Sequence, residues 1–238
     1  MKFSLCIPMY NEASIIEDTA KTLHKYMSEH FSDYEILFAN DGSTDGSAAL
    51  VEALALPCVR VVGYEKNRGK GCAVRTAMLA AEGDVVMFTD SDLAYGTDVI
   101  GRVAEAFADD PTADAVVGSR NLSADGYEGY TFLRKLASKT YLCLLRLVGG
   151  LTLSDSQCGC KAFRGEAAKK IFSRCEVDGF AFDFEAIMIA SRCGMKLVEL
   201  PVKIVNHRAS KINLFADAFR MLRELVKIKK RVRSLDLE

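Results

Sequence analysis

The chain has 238 residues, of which 50% are hydrophobic and 26% are charged. This length and composition allow one large domain with a substantial core. The formal net charge of −1 argues against bulk nucleic-acid binding, so we expect no nucleic-acid partner. The eight cysteines include no Cys-x-x-Cys pair, and the three histidines have no zinc-ligand spacing. We therefore expect reduced thiols in a cytoplasmic protein.

The sequence shows no pattern for insertion into a membrane. Met1-Lys2 leads directly into a short strand pattern, so no signal peptide is expected. The longest apolar stretch, residues 141–153, is interrupted by Arg146 and glycines and is shorter than the ~20 residues that a spanning helix needs. We expect a chain that does not cross the bilayer.

Strand and helix patterns alternate through the first half of the chain. Strands are predicted at residues 3–7, 34–38, 59–62, 85–89 and 115–117. Helices are predicted at residues 12–30, 70–81 and 97–108. A turn-rich loop at residues 40–46 offers Ser43 or Asp45 as a helix cap. Strands separated by helices of ten or more residues are typical of βαβ units, which predicts an α/β protein with a mostly parallel sheet flanked by helices.

The second half of the chain has a different pattern. A long helix is predicted at residues 131–148, shorter helices at 166–172 and 182–192, and a strand at 197–205. Pro201 restricts that strand to a sheet edge or a bulge. The last segment, residues 212–232, is amphipathic, and its apolar positions are spaced by three and four residues: Ile212, Phe215, Phe219, Leu222 and Val226.

An acidic triplet, Asp90-Ser91-Asp92, follows the strand pattern at residues 85–89. Ligands of open α/β sheets bind at the carboxyl ends of the strands. Two carboxylates one residue apart suit Mg²⁺ or Mn²⁺, which completes its shell with substrate phosphates. Most Asp-x-Asp triplets are solvated loops, so the metal site is predicted from the triplet together with its surroundings.

Four loops are expected at that same edge of the sheet. They are Pro8-Met9-Tyr10-Asn11-Glu12, Asn40-Asp41-Gly42-Ser43, Asn67-Arg68-Gly69-Lys70-Gly71 and the acidic triplet. A nucleotide needs an aromatic surface, a carboxylate for N–H and O–H groups, and cations for its phosphates, and Tyr10, Asp41 and Lys70 supply those types. Alternatively, Tyr10 could cover the sheet edge and Asp41 could cap a turn.

The glycine-rich loop before residue 72 is not a phosphate loop of the NTPase type. Gly71 stands where Ser or Thr would be required. A glycine-rich turn that opens a helix can still present backbone N–H groups to a phosphate, and we keep that expectation for this loop.

These motifs together resemble the inverting glycosyltransferases of family 2, which have the GT-A fold. Within that family the chain most resembles the polyprenyl-phosphate (dolichyl-phosphate) hexosyltransferases, and the dolichyl-phosphate glucosyltransferases in particular. Further matching segments are Gly118-Ser119-Arg120, Arg134 with Ser138, the run from Asp155 to Lys161, Phe182-Asp183 and Ser210-Lys211. The resemblance extends from Ser4 to about Lys211.

The resemblance implies a role for each matching residue. The nucleotide sugar would be bound by Pro8, Tyr10, Glu12, Asp41, Lys70, Asp90, Ser91, Arg208 and Lys211. Asp90 and Asp92 would bind the metal, and His207, Arg208 or Lys211 would close over the donor diphosphate. The acceptor phosphate would be bound by Arg120, Arg134 and Ser138. Asp92, Arg120 and Arg134 are the expected catalytic residues.

The resemblance also implies the domain organisation and the donor. Residues 1–211 would form a single catalytic domain, with a nucleotide-sugar half at 1–120 and an acceptor half at 121–211. Residues 212–238 would form an amphipathic, basic C-terminal helix. Ala94 stands where mannosyl members often place Gln, and the run from Asp155 to Lys161 is closer to the glucosyl branch. UDP-glucose is therefore favoured over GDP-mannose as the donor.

A polyprenyl phosphate acceptor would bring the protein to a membrane surface. The expected location is peripheral, at the cytoplasmic face, with contacts from the segment 131–153 and the basic residues 227–233. The same helices could instead pair two copies as a homodimer or pack on the core. A transferase acting on a sugar or protein hydroxyl, with Asp155 or Asp183 as base, and a non-catalytic nucleotide-sugar-binding module remain the alternatives.

Overall fold

A computed structural model of the chain describes residues 1–127, 142, 145, 148, 150, 152–206 and 214–236. Seven strands lie in this part: β1 (Phe3–Met9), β2 (Tyr34–Asp41), β3 (Val59–Tyr64), β4 (Val85–Phe88), β5 (Ala115–Ser119), β6 (Lys161–Arg164) and β7 (Leu197–Pro201). The same part contains seven α-helices: α1 (Ile16–His30), α2 (Ser47–Ala53), α3 (Lys70–Ala80), α4 (Asp98–Asp109), α5 (Gly165–Phe172), α6 (Phe182–Arg192) and α7 (Leu214–Ser234).

The strands form one sheet in the order β3-β2-β1-β4-β6-β5-β7. Every neighbouring pair is parallel except those made by β6, which is antiparallel to both β4 and β5. The carboxyl ends of the other six strands therefore meet at one edge of the sheet, and β6 begins there with Lys161 opposite Phe88. This mostly parallel sheet flanked by helices confirms the predicted fold class.

Both faces of the sheet are buried, because side chains alternate across a strand and helices cover each side. In β1, Cys6 faces a core that includes Ala77 of α3 and Ile187 of α6. Its neighbours Leu5 and Ile7 face the other core, which α1 and α4 complete. The two cores hold the sheet rigid, so that its loop-bearing edge is a stable platform.

The observed elements differ from the predicted ones mostly at their ends. Helix α1 begins at Ile16 and not at Glu12, because the preceding residues form a turn in which Ile15 and Ile16 donate to the Glu12 carbonyl. The strand predicted at 197–205 ends at Pro201, and its place at the sheet edge is confirmed. Strand β6 was not predicted, because four residues with charged ends carry no recognisable strand pattern.

The C-terminal helix packs on the core through a different stripe from the predicted one. Val226 is exposed, while Leu225, Ile228 and Val232 are buried beside α6. Val226 fits the apolar spacing of the sequence but lies outside the packed face, since packing follows the face that meets the core. The other residues of that predicted stripe, Ile212, Phe215, Phe219 and Leu222, lie outside the described side chains.

The predicted helix at 131–148 lies mostly outside the described residues. Leu142, Leu145 and Val148 are helical, and the first two are buried on the α3 side of the sheet. Among the described helices, none combines the length and the apolar character that a membrane crossing requires.

Candidate functional site

The loops predicted to share one edge of the sheet do so. The parallel register pairs Met9 with Asn40 and Asn40 with Gly63, so β1, β2 and β3 end side by side. The acidic triplet follows β4, which pairs with β1, and Arg120 follows β5 at the same edge. The sheet thus collects the charged residues of distant segments in one place.

The loop after β1 leaves its aromatic residue at the surface. Pro8 is buried within the strand, whereas Tyr10 is 42% exposed and Glu12 is half-buried. The backbone around them is fixed by the next loop: the Asn11 N–H donates to Ser43 Oγ at 3.0 Å, and the Glu12 N–H donates to Ser47 Oγ at 2.9 Å. Tyr10 is therefore presented from a rigid turn, as a stacking surface for a base requires.

Asp41 organises the loop that connects β3 to α3. It is buried, and its carboxylate accepts hydrogen bonds from the Tyr64 hydroxyl, the Asn67 amide and the backbone N–H groups of Arg68 and Gly69. The distances from Arg68 N and Tyr64 Oη to Asp41 Oδ1 are 2.8 and 2.7 Å. The carboxylate of Asp41 thus holds a neighbouring loop and not its own turn, and its predicted nucleotide contact stays a prediction.

Two N–H groups in the first turn of α3 are occupied by another part of the chain. The N–H groups of Gly71 and Cys72 donate to the Asp178 carbonyl at 2.8 and 3.3 Å. A Cβ on Gly71 would lie 2.4 Å from the Val177 carbonyl oxygen, so the close approach of this segment requires glycine. These two donors are therefore engaged within the chain, and phosphate binding by the backbone of this turn stays a prediction.

Lys70 and Asp90 form a half-exposed ion pair. Lys70 Nζ lies 2.5 Å from Asp90 Oδ1, and the two side chains are 26% and 29% exposed. Burial opposes the charge of Lys70, but the carboxylates of Asp90, Asp183 and Asp92 together raise its pKa above the ordinary value. Lys70 is therefore a permanent cation at the acidic triplet.

The rest of the triplet is held by α1 and by the chain after β7. The Ser91 carbonyl accepts from Thr19 Oγ1 at 2.8 Å, and Asp92 Oδ1 accepts from the Ala94 N–H at 3.1 Å. Asn206 donates to the Leu93 carbonyl at 2.9 Å. A cavity of about 250 Å³ opens beside Asp92 and is lined by Ile15, Asp18, Thr19, Thr22, Asp92, Leu93 and Asn206.

The donor set at the triplet fits a hard divalent cation that also takes phosphate oxygens. Within the described ranges, no three or more His, Cys, Asp or Glu side chains are grouped as a complete cage for an ion. Mg²⁺ and Mn²⁺ need only one or two carboxylates when a diphosphate supplies further ligands. Gly159 keeps the Asp90 carboxylate accessible, since a Cβ there would lie 2.2 Å from Asp90 Oδ2.

Arg120 is paired with a buried carboxylate. Its Nε and Nη2 lie 2.6 and 3.0 Å from the two oxygens of Asp155, and the side chains are 9% and 0% exposed. The guanidinium also lies 5.3 Å from the Tyr127 ring centroid. Arg120 is at the predicted edge, but Asp155 compensates its charge, which the sequence did not reveal.

A second buried ion pair, between Lys161 and Asp183, lies under the triplet. Lys161 is fully buried, and its Nζ lies 2.6 Å from both Asp183 Oδ1 and the Cys158 carbonyl. Burial raises the pKa of Asp183 above its ordinary value, against the lowering effect of Lys161 and Lys70. Sequence reasoning gave Lys161 no role of its own, because only the unpredicted strand β6 brings it to this edge.

Five of the residues implied at the site lie outside the described residues. They are Arg134, Ser138, His207, Arg208 and Lys211. The segment with the last three follows Asn206, which is bound to the loop after Asp92.

Comparisons with known proteins place the chain among sugar transferases. Residues 4–172 match the family model described as Glycosyl transferase family 2. The chain is 28% identical to a dolichyl-phosphate beta-glucosyltransferase of Dictyostelium discoideum, over 95% of this chain and 73% of that protein. It is 31% identical to one from Trichomonas vaginalis, over 93% of this chain and 69% of that protein.

The fold is similar to that of solved structures at lower identity. Glucosyl-3-phosphoglycerate synthase of Mycobacterium tuberculosis, crystallised with Mn²⁺, UDP-glucose and phosphoglyceric acid, superimposes with a TM-score of 0.72 at 19% identity. The similarity covers 99% of this chain and 81% of the synthase. It supports the GT-A fold that the motifs imply.

Proposed function

The chain belongs to glycosyl transferase family 2, and we propose that it transfers glucose from UDP-glucose to a polyprenyl or dolichyl phosphate with inversion at the anomeric carbon. One observation carries this proposal: dolichyl-phosphate beta-glucosyltransferases from several organisms match more than 90% of the chain. The acidic and basic residues collected at the sheet edge are of the types that this reaction needs.

On the donor side, Tyr10 would stack on the uracil base, and Pro8, Glu12, Asp41 and Ser91 would shape the nucleotide pocket. Asp90 and Asp92 would hold a Mg²⁺ or Mn²⁺ ion, which supplies neutralising charge for a departing diphosphate. Lys70 would shift from Asp90 to a phosphate oxygen of the donor. A phosphate oxygen would replace the carboxylate oxygen as the partner of Lys70, so its charge would remain compensated. Arg208 and Lys211 would contact the same diphosphate.

On the acceptor side, no general base is required. A phosphomonoester has a second pKa near ~6, so its oxygen is already anionic at neutral pH. The protein must position that oxygen and offset its charge, and arginine suits this task because its planar fork binds two oxygens. Asp155 already compensates Arg120, so we assign the larger share of phosphate binding to Arg134 and Ser138. Arg120 would orient the acceptor beside them.

The lipid tail of the acceptor would place the protein at the cytoplasmic surface of a membrane. Helix α7 buries its apolar side and exposes basic residues on the other: Arg223, Lys227, Lys230 and Arg233. Basic residues near an anionic leaflet contribute roughly 1 kcal/mol each. We propose peripheral docking through this basic face, with a homodimer through the same helix as the competing arrangement. The donor half 1–120 and acceptor half 121–211 are part of the same proposal.

A hydroxyl acceptor is the second candidate, with Asp183 as its base. A carboxyl group whose pKa is raised by burial is a better base than a solvated one. Asp155 does not suit that role, because both of its oxygens accept from Arg120 and it is fully buried. A binding module without turnover is the remaining alternative, and measured turnover would exclude it.

The test uses the full chain with labelled UDP-glucose, Mg²⁺ and polyprenyl phosphate, and it measures label in the organic phase. We expect transfer from UDP-glucose and little from GDP-mannose run in parallel. Label from GDP-mannose alone would replace glucose by mannose, and label only in water-soluble glycoside would favour a hydroxyl acceptor.

The role of the acidic triplet is tested by Asp92→Asn. We expect turnover to fall by about 10²-fold or more, as for the loss of a group that stabilises transition-state charge. Asp109→Asn removes an exposed carboxylate at the end of α4 and is the matched control. Near-normal activity of Asp92→Asn would refute the metal role of Asp92.

A further inference from the structure

The segment 176–179 connects the C-terminal helix to the start of α3. Asp178 accepts the N–H groups of Gly71 and Cys72 with its carbonyl, and its carboxylate lies 2.6 Å from Arg75 Nη2 and 3.2 Å from Arg68 Nη2. A Cβ on Gly69 would lie 2.5 Å from the Asp178 carbonyl oxygen. The first turn of α3 therefore rests directly on this segment.

Lys70 is the first residue of that turn. Its neighbours on both sides are tied down, Gly69 by Asp41 and Gly71 by Asp178. The direction in which the Lys70 side chain leaves the backbone is thus set by two acceptors on different parts of the chain. A shift of segment 176–179 would move Lys70 relative to Asp90.

Segment 176–179 is in turn held by Glu185 of α6. This side chain is fully buried, and its Oε2 accepts from the N–H groups of Glu176 and Val177, both at 2.9 Å. Its Oε1 accepts from Arg231 Nη2 of α7. The buried Glu185 carboxylate binds the backbone of segment 176–179 with one oxygen and Arg231 with the other. It therefore fixes the distance between this segment and α7.

Arg231 completes the connection from the C-terminal helix. It also pairs with Glu176 at 3.3 Å and donates to the Arg174 carbonyl at 3.1 Å. Leu225, Ile228 and Val232 bury the same side of α7. The continuous series of contacts runs from α7 through Glu185 and Asp178 to Lys70.

We infer that Arg231 and Glu185 are positioning residues for donor binding, which they support by holding segment 176–179 and thereby the first turn of α3 with Lys70. The identity of the donor rests on the proposed function, whereas the mechanical connection does not. Donor binding at Lys70 is then coupled to the packing of α7 on α6. Loosening this packing weakens the donor site. Arg120, the described residue that we assign to the acceptor, makes none of the contacts named in this series.

The experiment compares Arg231→Gln with Arg233→Gln, which removes the same charge from an exposed position on the same helix. Hydrogen–deuterium exchange without substrate is measured at the Gly71 and Cys72 amides. We expect exchange about tenfold faster in Arg231→Gln and unchanged in Arg233→Gln. Kinetics should show a KM for UDP-glucose about tenfold higher, with kcat and the KM for polyprenyl phosphate within about twofold of the original.

Two further variants separate positioning from general damage. Arg231→Lys keeps the charge and should recover most of the donor KM. In a Glu185→Gln background, Arg231→Gln should add little, because both changes break the same connection. If Arg231→Gln fails to fold, Glu185→Gln alone tests the inference. This variant keeps the side-chain volume and one acceptor oxygen. It should also speed amide exchange at Gly71 and Cys72.

The inference is overturned if Arg231→Gln exchanges like Arg233→Gln at Gly71 and Cys72. It is also overturned if exchange rises equally throughout the sheet, which would indicate only global destabilisation. A protein that transfers no glucose would refute the proposed function, whereas the exchange result would still decide the positioning role because it needs no substrate.

Discussion

The two ends of the loop-bearing edge use ion pairs in opposite ways. At the proposed donor end, Lys70 and Asp90 are 26% and 29% exposed. At the proposed acceptor end, Arg120 and Asp155 are 9% and 0% exposed. A half-exposed pair can open when a ligand arrives, whereas a buried pair is part of the framework. We therefore propose that the Lys70–Asp90 pair opens for ligand binding, whereas the Arg120–Asp155 pair stays closed and holds the guanidinium in place.

The energies of the two kinds of pair explain this difference. An exposed pair stabilises a protein by about 0–1 kcal/mol, because water and salt screen its charges. Removing one partner of a buried pair destabilises by about 3–5 kcal/mol, since the remaining charge is left without compensation in a dry site. Three experiments test whether the two ends of the edge follow these rules.

The largest effect is expected at the buried pair. Asp155→Ala should lower the free energy of unfolding by about 3–5 kcal/mol, because Arg120 would lose the partner that compensates its buried charge. Urea denaturation followed by circular dichroism measures this change. Asp110→Ala is the matched control, since Asp110 pairs with Lys196 at the surface and should cost no more than about 1 kcal/mol. Equal costs for the two variants would contradict the comparison.

A smaller effect is expected at the Lys70–Asp90 pair. It should change the affinity for the donor and not the stability of the fold. Lys70→Met should raise the dissociation constant for UDP-glucose about tenfold, which corresponds to about 1.4 kcal/mol, and should change the unfolding free energy by less than about 1 kcal/mol. Titration calorimetry and urea denaturation measure the two quantities. Lys66→Met, at an exposed position of the same loop, is the control. A loss of stability as large as that of Asp155→Ala would show that the Lys70–Asp90 pair mainly stabilises the fold.

The smallest effect is expected in acid. Burial acts against the charged form of Asp155, but Arg120 holds its pKa below the ordinary value of 3.8. Arg75 and Arg68 likewise lower the pKa of Asp178. A lowered pKa contributes stability that is present above pH 3.8 and is lost as the pH falls through the folded value.

The acid dependence distinguishes the buried from the half-exposed partner. Urea midpoints measured from pH 5 to pH 3 should fall for the unchanged protein, and Asp155→Asn should flatten that fall more than Asp178→Asn does. Asp183 acts with the opposite sign, because its raised pKa contributes stability below pH 3.8 that is lost as the pH rises through the folded value. A steeper fall in Asp155→Asn would contradict the assignment.

Much of the fold was predictable because its signals are local. The strands β1 to β5 and the helices α1, α3, α4 and α6 show their periodicity within single windows of sequence. The parallel order of the strands then brought the loops that contain Tyr10, Asp41, Lys70 and Asp90 to one edge, as expected. Strand β6 and the buried face of α7 were not predictable in this way, since neighbouring elements select them.

The sequence predicted the residue types of the candidate site better than it predicted which residues pair with each other. The acidic residues after β4 could be identified from their position in the pattern, whereas Arg120 after β5 was identified only through the resemblance to the family. That Arg120 is compensated by Asp155, or that Lys161 lies beneath the triplet against Asp183, depends on segments 35 and 22 residues apart. Such long-range pairings cannot be recognised from the periodicity of a single sequence.

The sequence by itself determined most of the elements, the parallel class and the residues of each loop, because these follow from backbone sterics and hydrophobic periodicity within short windows. Only the tertiary structure decided which charges are compensated, which N–H groups are occupied and which face of α7 is buried. Those outcomes depend on burial and on distances between remote segments, and both exist only after the chain has packed.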